Sequence, residues 1–201
     1  MKNNILALVL ARKNSKRLKN KNILKLGKIP LILWTLRDLI KLKKYFVDII
    51  LSSDSKKILN FIKHKNILQV NRPKKYSTSN SSSEISALHA IKFYETIYKK
   101  KISHIILFQP TSPFRSKRDI LNAITLSNKN KKKRIVSCRI EKNKRKKKYL
   151  PNGSFYISPI EMLKKSKNFV GKKFIPFVIK SKKNNIDIDN INDFKIAKKY
   201  V

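Results

Sequence analysis

Short, uninterrupted apolar runs alternate along the chain with longer segments in which apolar residues recur at helical spacing. Ile5–Leu10 and Ile102–Phe108 are runs of the first kind, which are typical of strands buried on both faces of a parallel sheet. Leu31–Leu42, directly after Pro30, and the segment that begins at Ile85 are of the second kind, which is typical of helices packed on a sheet. The alternation predicts an α/β fold with an open, mostly parallel sheet and helices on both faces.

The other predicted elements continue this alternation. Strands are predicted at Val47–Leu51, Ile67–Val70, Ile135–Cys138, Phe155–Ile157 and Phe174–Ile179. Helices are predicted at Ile58–Ile62, Ile85–Tyr94, Ile120–Leu126, Pro159–Lys165 and Ile191–Tyr200. Ser81 and Glu84 have capping-box spacing for the second of these helices, and Asn152-Gly153 predicts a turn before a strand. One domain, residues 1–201, accounts for this pattern.

The charge imbalance restricts the classes of partner. The chain has 50 Lys and Arg residues against 11 Asp and Glu, a formal net charge of +39, yet 41% of its residues are hydrophobic. A disordered basic tail is therefore excluded. Because only nine of the cations are Arg, on which nucleic-acid readers usually rely, nucleic acid is the less favoured partner. The basic segments Lys129–Arg134 and Lys142–Lys148 are predicted to be solvated connections.

Cysteine usage and hydropathy indicate the compartment. The single cysteine, Cys138, excludes an intramolecular disulfide and is typical of a reducing environment. No apolar run approaches the ~20 residues of a spanning helix. Cations at Arg12 and Arg17 follow the first apolar run, where a signal peptide needs small residues at its cleavage site. The expectation is a cytoplasmic protein without a membrane partner.

Polar loops follow three of the predicted strands, after residues 11, 53 and 109. In an open α/β sheet such loops converge at the carboxyl edge, where ligands bind. The first loop, residues 12–22, carries cations, a hydroxyl and amides, which suit a polyphosphate because they neutralise charge and donate hydrogen bonds. It lacks the glycine framework of a Walker loop. A solvated basic loop is the alternative at this stage.

The scarce acidic residues are more informative than the abundant basic ones. Asp187 and Asp189 alternate with Ile186 and Ile188, so in an extended segment both carboxylates lie on one face. Mg²⁺ is commonly held by one or two carboxylates together with substrate phosphates. The pair therefore predicts a magnesium site, with pairing to surplus lysines as the alternative. Asp193 is interpreted as a helix first-turn residue favoured by the helix dipole.

Several blocks resemble, in order, motifs of the acylneuraminate cytidylyltransferase family. They are Ala11-Arg12-x-x-Ser15-Lys16-Arg17-Leu18-x-x-Lys21-Asn22, Ser52-Ser53-Asp54-Ser55, Gln109-Pro110-Thr111-Ser112-Pro113-Phe114-Arg115, Asn152-Gly153-x-x-Tyr156-Ile157 and Ile186-Asp187-Ile188-Asp189. The similarity extends over nearly the whole chain. It implies a Rossmann-like nucleotide-diphospho-sugar transferase fold, and transfer of CMP from CTP to a nonulosonic, sialic-type acid with release of pyrophosphate.

The resemblance also implies roles for matching positions. The CTP phosphates would be held by Arg12, Ser15, Lys16 and Lys21, and the cytidine would be placed by Asn22, Arg72 and Ser83. The sugar pocket would be lined by Gln109, Thr111, Asn152 and Tyr156, and Mg²⁺ would be held by Asp187 and Asp189. The catalytic groups would be Lys21, which stabilises charge on the phosphate, and Asp189, which accepts the hydroxyl proton.

The chain departs from the family pattern between Cys138 and Asn152. The family carries a few dozen additional residues there, including an extension that forms the dimer and delivers basic side chains to the partner's sugar site; here only residues 139–151 remain. A homodimer is implied by the resemblance, but the short segment leaves it open. Three alternatives also remain: activation of the related octulosonate sugar, a CTP-binding remnant without turnover, and, least favoured, a nucleic-acid-binding protein.

Overall fold

The segments predicted as buried strands form one twisted sheet in the computed structural model, which describes residues 4–15, 17–62, 64–78, 80–143 and 146–201. The strands are β1 (Ile5–Leu10), β2 (Lys25–Leu26), β3 (Ile29–Pro30), β4 (Ile49–Ser53), β5 (Leu68–Asn71), β6 (His104–Phe108), β7 (Ile135–Asn143), β8 (Lys146–Pro159) and β9 (Ile175–Val178). The helices are α1 (Leu31–Lys41), α2 (Lys56–Asn60), α3 (Ser83–Tyr98), α4 (Lys117–Lys129), α5 (Ile160–Ser166) and α6 (Ile191–Lys198).

The main sheet has the strand order β5-β4-β1-β6-β8-β7-β9 within the described residues, and β2 and β3 form a small separate hairpin. Strand β8 pairs antiparallel with β6 and β7, whereas the other pairs in the main sheet are parallel. Leu8 at the centre of β1 lies opposite Ile50 of β4 and Leu107 of β6. The predicted open, mostly parallel sheet is confirmed.

Alternate residues of each central strand pack against helices on opposite faces. In β1, Ala7 and Val9 belong to the same buried cluster as Leu36 of α1 and Ile120 of α4. Leu6 and Leu8 belong to a second cluster on the other face, with residues of α3 and α5. Because side chains alternate across a strand, one continuous apolar run supplies both layers. None of the described helices has the length and hydropathy of a membrane-spanning segment.

The neighbours of β1 create the opening that forms the site. The chain leaves β1 for β4 on one side, and later returns to β6 on the other side. Because β1 and β6 are parallel, their carboxyl ends lie at the same edge of the sheet. The loops that follow the two strands lead away in different directions and leave a space at that edge. This is the switch point at which open α/β sheets bind ligands.

The segment predicted as a basic connection is a β-hairpin instead. Strands β7 and β8 pair antiparallel out to Asn143 and Lys146, with Ile140 opposite Tyr149. The predicted strands covered only Ile135–Cys138 and Phe155–Ile157, because the outer part of the hairpin is too basic to show the apolar pattern on which the prediction relied. The pairing of backbone groups between the two strands keeps this basic segment extended.

Two local predictions are corrected by backbone geometry. Helix α3 begins one residue later than expected: Ser82 is its N-cap and accepts from the Ile85 amide, whereas Ser81 bonds Thr78. The predicted turn at Gly153 lies inside β8, where the pairing with β7 shifts register after Val136. Gly153 has the positive φ expected of the motif, +75°, but uses it in an irregularity of the strand rather than in a turn.

Asp48, immediately before β4, anchors α3 to the sheet. Its carboxylate accepts from Tyr94 Oη at 2.5 Å and from Lys43 Nζ at 3.2 Å. Burial raises the pKa of Asp48, but these hydrogen bonds and the charges of Lys43 and Lys100 outweigh burial and leave the pKa below its ordinary value.

We expect Asp48→Asn to lower the free energy of unfolding at pH 7 by about 1–3 kcal/mol, the range for hydrogen bonds to a charged group. Because the folded-state pKa is lowered, the contribution is present above the unfolded pKa and disappears as the pH falls through the folded pKa. Urea unfolding of both proteins at pH 7 and at acid pH measures it. A difference that persists after acidification would contradict the ionic origin.

Candidate active site

A cavity of about 680 Å³ opens at the carboxyl edge of the sheet, between the loops after β1 and β6 and the start of α3. Ten predicted site residues line it: Arg12, Ser15, Lys21, Asn22, Arg72, Ser83, Gln109, Thr111, Asp187 and Asp189. They come from five separate parts of the chain and meet because their strands end at one edge. Predicted residue Lys16 lies outside the described residues. The roles of all these residues remain predictions at this point.

Hydrogen bonds between side chains and the backbone hold the basic loop after β1 in place. The side-chain amide of Asn22 donates to the carbonyl of Arg12 at 2.9 Å, closing the loop on itself. The amide of Lys13 donates to Asp54 at the end of β4, at 2.8 Å. Asn20 adopts the left-handed conformation, with φ of 56°, just before the turn that carries Lys21 into the cavity. The loop therefore presents its cations from a braced frame.

A backbone hydrogen bond positions Asp187 and Asp189 at the cavity. The Ile188 amide donates to the Thr111 carbonyl at 2.8 Å, which fastens the segment to the loop after β6. Ile188 is fully buried, while both flanking aspartates face the cavity. This is the alternation predicted from the sequence.

The two aspartates have different surroundings. Asp189 is paired with Lys21 at 3.1 Å and with Arg17 at 3.0 Å. Asp187 lies beside the hydroxyls of Thr111 and Ser112, and burial, together with the charge of Asp189, raises its pKa. Unlike Asp189, Asp187 forms no salt bridge with a cation among the described residues.

The donor set fits a divalent cation shared with a substrate. Two carboxylates and neighbouring hydroxyls are oxygen ligands of the kind that Mg²⁺ binds. Among the described residues there is no group of three or more His, Cys, Asp or Glu side chains suited to a metal. The pair therefore fits Mg²⁺ that completes its coordination with water and substrate phosphates, rather than a protein-only cage.

The cavity is also lined by Arg72 and by several hydroxyl side chains. Arg72 is 4% exposed and donates from Nε to Ser77 Oγ at 2.8 Å; burial lowers its pKa. Hydroxyl residues at the start of α3, including Ser83 and Ser86, line the same cavity, as do the apolar residues Leu10 and Leu107. Donors combined with apolar side chains suit a flat, polar ring that has hydrogen-bond acceptors at its edge.

Two predicted sugar-pocket residues do not line the cavity. Asn152 is buried, and its side chain is used in the protein interior: it accepts from Ser137 Oγ at 2.6 Å and donates to Asn185 Oδ1 at 2.7 Å. Tyr156 packs against Phe169 with ring centroids 6.2 Å apart. Burial and the charge of Asp187 raise the pKa of Tyr156 to about 12, so its hydroxyl remains protonated close behind the acidic pair. In the structure, both residues lie behind the cavity lining and contact other protein side chains.

Sequence reasoning assigned no role to several residues at the site, among them Arg17 and Gly153. Arg17, quoted only as part of the motif, lines the cavity and pairs with Asp189. Gly153 passes so close to the site that a Cβ there would lie 2.8 Å from Gln109 Oε1 and 3.1 Å from Asp187 Oδ2. The chain has only three glycines, and this scarcity was the available signal for Gly153.

The family model described as cytidylyltransferase matches residues 6–184. The N-acylneuraminate cytidylyltransferase of Escherichia coli O18:K1:H7 (strain RS218 / NMEC) is 27% identical over 224 residues, covering 98% of this chain and 52% of the relative. The chain thus spans about half the length of this curated relative. The alignment is longer than the 201-residue chain, so the relative has residues within it that this chain lacks.

Solved structures share the fold at low sequence identity. CMP:2-keto-3-deoxy-manno-octonic acid synthetase complexed with CTP matches with a TM-score of 0.71 and 11% identity, over 98% of this chain and 97% of that chain. A cytidylyltransferase from Leptospira borgpetersenii serovar Hardjo-bovis (strain JB197) matches with a TM-score of 0.67 and 18% identity, over 98% and 87%. At these identities the likeness concerns the fold alone.

Proposed function

The chain belongs to the cytidylyltransferase family, and we propose that it activates a nonulosonic, sialic-type acid with CTP, giving a CMP-sugar and pyrophosphate. The observation that carries this proposal is one cavity in which Asp187 and Asp189 face the cations of the loop after β1. A polyphosphate would pair with such cations, and Asp187 and Asp189 would hold a divalent cation that neutralises further phosphate charge. The relative's name, N-acylneuraminate cytidylyltransferase, supports the choice of sugar class.

In this reaction the anomeric hydroxyl of the sugar attacks the α-phosphorus of CTP. The new oxygen–phosphorus bond forms as the bond to the β-phosphate oxygen breaks, so pyrophosphate leaves in line with the attack. Arg12 and Lys21 line the cavity where they can bind phosphate oxygens. Bound Mg²⁺ would supply further neutralisation of the phosphate charge. Positioning and electrostatics thus account for most of the chemistry.

The hydroxyl proton needs an acceptor in the acidic pair. Asp189 is the acceptor that the family resemblance implies, but its two oxygens are each paired with a cation, Lys21 or Arg17. Asp187 contacts neutral hydroxyls instead. We therefore favour Asp187 as the acceptor and assign Asp189 to the cationic side of the site.

A CTP-binding remnant without turnover is the second candidate. Its support is the short segment 139–151, of which residues 139–143 and 146–151 pair as two antiparallel strands. Such a protein would bind CTP but would not hold the carboxylate of a sugar acid well enough to react.

Pyrophosphate release tests the proposal. The purified protein is incubated with CTP, Mg²⁺ and, separately, sialic, legionaminic and 3-deoxy-octulosonic acids, and each nucleotide product is identified by mass spectrometry. Release that requires one acid and stops with EDTA supports the proposal and identifies the sugar. CTP binding measured by calorimetry, without release for any acid, supports the remnant. A nucleotide product with 3-deoxy-octulosonic acid alone identifies the alternative activity, activation of the octulosonate sugar.

Lys21 and Arg17 provide a test of which cation acts on the phosphates. Both contact Asp189, but the side chain of Lys21 is 11% exposed and that of Arg17 is 69% exposed. Removal of an enclosed, preorganised donor costs about 10²–10³ in rate, whereas an exposed ion pair contributes about 1 kcal/mol or less. We expect kcat/KM for CTP to fall about 100-fold in Lys21→Gln and less than about fivefold in Arg17→Gln. Equal losses would contradict the assignment.

A further inference from the structure

Arg115 joins three elements beneath the cavity. Its Nε donates to the Ser154 carbonyl in β8 at 2.8 Å, and its Nη1 donates to Thr35 Oγ1 in α1, also at 2.8 Å. Its Nη2 donates to the carbonyl of Gln109, at the end of β6. The guanidinium also lies over the ring of Phe108, 5.5 Å from the centroid. Every nitrogen of the side chain is therefore bonded to a different element.

A contribution to folding stability does not explain why a charged side chain, that of Arg115, occupies this position. Burial lowers the pKa of Arg115 to about 10, with Asp38 and Asp187 acting in the opposite direction. None of the described carboxylates forms a salt bridge with it. A desolvated cation without a paired anion is costly, and apolar residues of similar volume often stabilise such positions better. The fixed fork of donors is what an apolar residue could not supply.

The three bonds act on the sugar side of the cavity. Gln109 lines the cavity, and Ser154 is next to Gly153, where a Cβ would lie 2.8 Å from Gln109 Oε1 and 3.1 Å from both Ser112 Oγ and Asp187 Oδ2. Two backbone segments that meet at the acidic pair are therefore tied to one planar group. Thr35 ties that group to α1, on one packed face of the sheet.

We infer that Arg115 is a positioning residue, which sets the spacing between the loop after β6 and the Gly153 segment of β8, and thereby the geometry of the sugar-acid subsite. Without the guanidinium, the loop after β6 and the Gly153 segment can move apart, so the sugar acid is bound less tightly. The cations of the loop after β1 are held by separate hydrogen bonds and stay in place. Naming the subsite rests on the proposed function; the spacing itself does not.

The test compares Arg115→Lys and Arg115→Met with Thr35→Val. Lysine keeps the charge but has one donor nitrogen, methionine keeps the approximate length without charge, and Thr35→Val removes only the contact with α1, made by a residue that does not line the cavity. We expect the KM for the sugar acid to rise at least about tenfold in both Arg115 variants, the order of effect of a small misplacement, with the KM for CTP within twofold. Thr35→Val should leave both KM values within twofold.

Amide hydrogen exchange gives a second readout that needs no substrate. Exchange in the segments 109–113 and 152–155 should accelerate in Arg115→Lys relative to the wild type and to Thr35→Val, with the exchange of β1 and β4 unchanged. If Arg115→Met fails to fold, Arg115→Lys carries the comparison. Unchanged exchange in both segments, or equal rises in the two KM values, would overturn the inference. If the wild type turns over no sugar acid, the proposed function fails while the exchange comparison still decides the positioning role.

Discussion

Asp187→Asn is expected to reduce pyrophosphate release at least about 100-fold while CTP still binds. The change keeps the size of the side chain but removes one of the two charges that would face a divalent cation. It also removes the carboxylate that we propose as the proton acceptor. Loss of a single electrostatic contact of this kind costs about 10²–10³ in rate. Steady-state release with saturating CTP and Mg²⁺, together with CTP binding by calorimetry, measures the two effects separately.

The stability of this variant provides an independent check. Asp187 and Asp189 repel one another, and the charge of Asp187 is disfavoured by burial; the thermal midpoint of Asp187→Asn should therefore not fall. Asp119→Asn, in the first turn of α4, is the matched control and should retain activity within about twofold, the usual result for a substitution away from a site. Asp187→Asn with normal turnover would contradict the proposed chemistry. Loss of activity through unfolding would contradict the account of its environment.

Gly153→Ala is expected to have the second large effect. At φ of +75° a Cβ is strained by about 1–2 kcal/mol. It would also lie 2.8 Å from Gln109 Oε1 and 3.1 Å from both Ser112 Oγ and Asp187 Oδ2. Relief of the overlap moves the acidic pair or the loop after β6, and a displacement of about 1 Å costs roughly 100-fold in rate.

Gly27→Ala separates the two causes. Gly27 has φ of +63°, so a Cβ meets a similar backbone penalty, but its nearest contact is the side chain of Val201 at 3.4 Å. We expect both variants to lose several degrees of thermal midpoint, and only Gly153→Ala to lose about 100-fold in activity. Matching activity in the two variants would show that the close approach at Gly153 has no effect on the site.

The cavity residues were predictable where a motif coincided with a strand end. Arg12, Lys21 and Gln109 follow buried strands, and the geometry of a parallel sheet brings such loops together regardless of their separation in sequence. Asp187 and Asp189 were predictable for a different reason, because two-residue spacing fixes a common face in any extended segment.

Other residues could not be assigned because their roles depend on contacts between distant segments. Asn152 belonged to a recognised motif, but only the fold shows its amide bonded to Ser137 and Asn185 instead of facing the cavity. The strand pairing of residues 139–143 with residues 146–151 was hidden in the same way. These basic segments lack apolar alternation, and pairing between the two strands, rather than residue type, holds them extended.

The sequence by itself determined the layered α/β fold and the edge at which a ligand binds, because burial of continuous apolar runs requires helices on both faces and brings the strand ends together. Only the tertiary structure decided which groups support that edge. Arg115 bonds Thr35, Gln109 and Ser154, and Gly153 lies against Asp187. Apart from the bond to Gln109, these contacts join residues tens of positions apart, and their strength depends on distance, direction and exclusion of water, none of which is encoded locally.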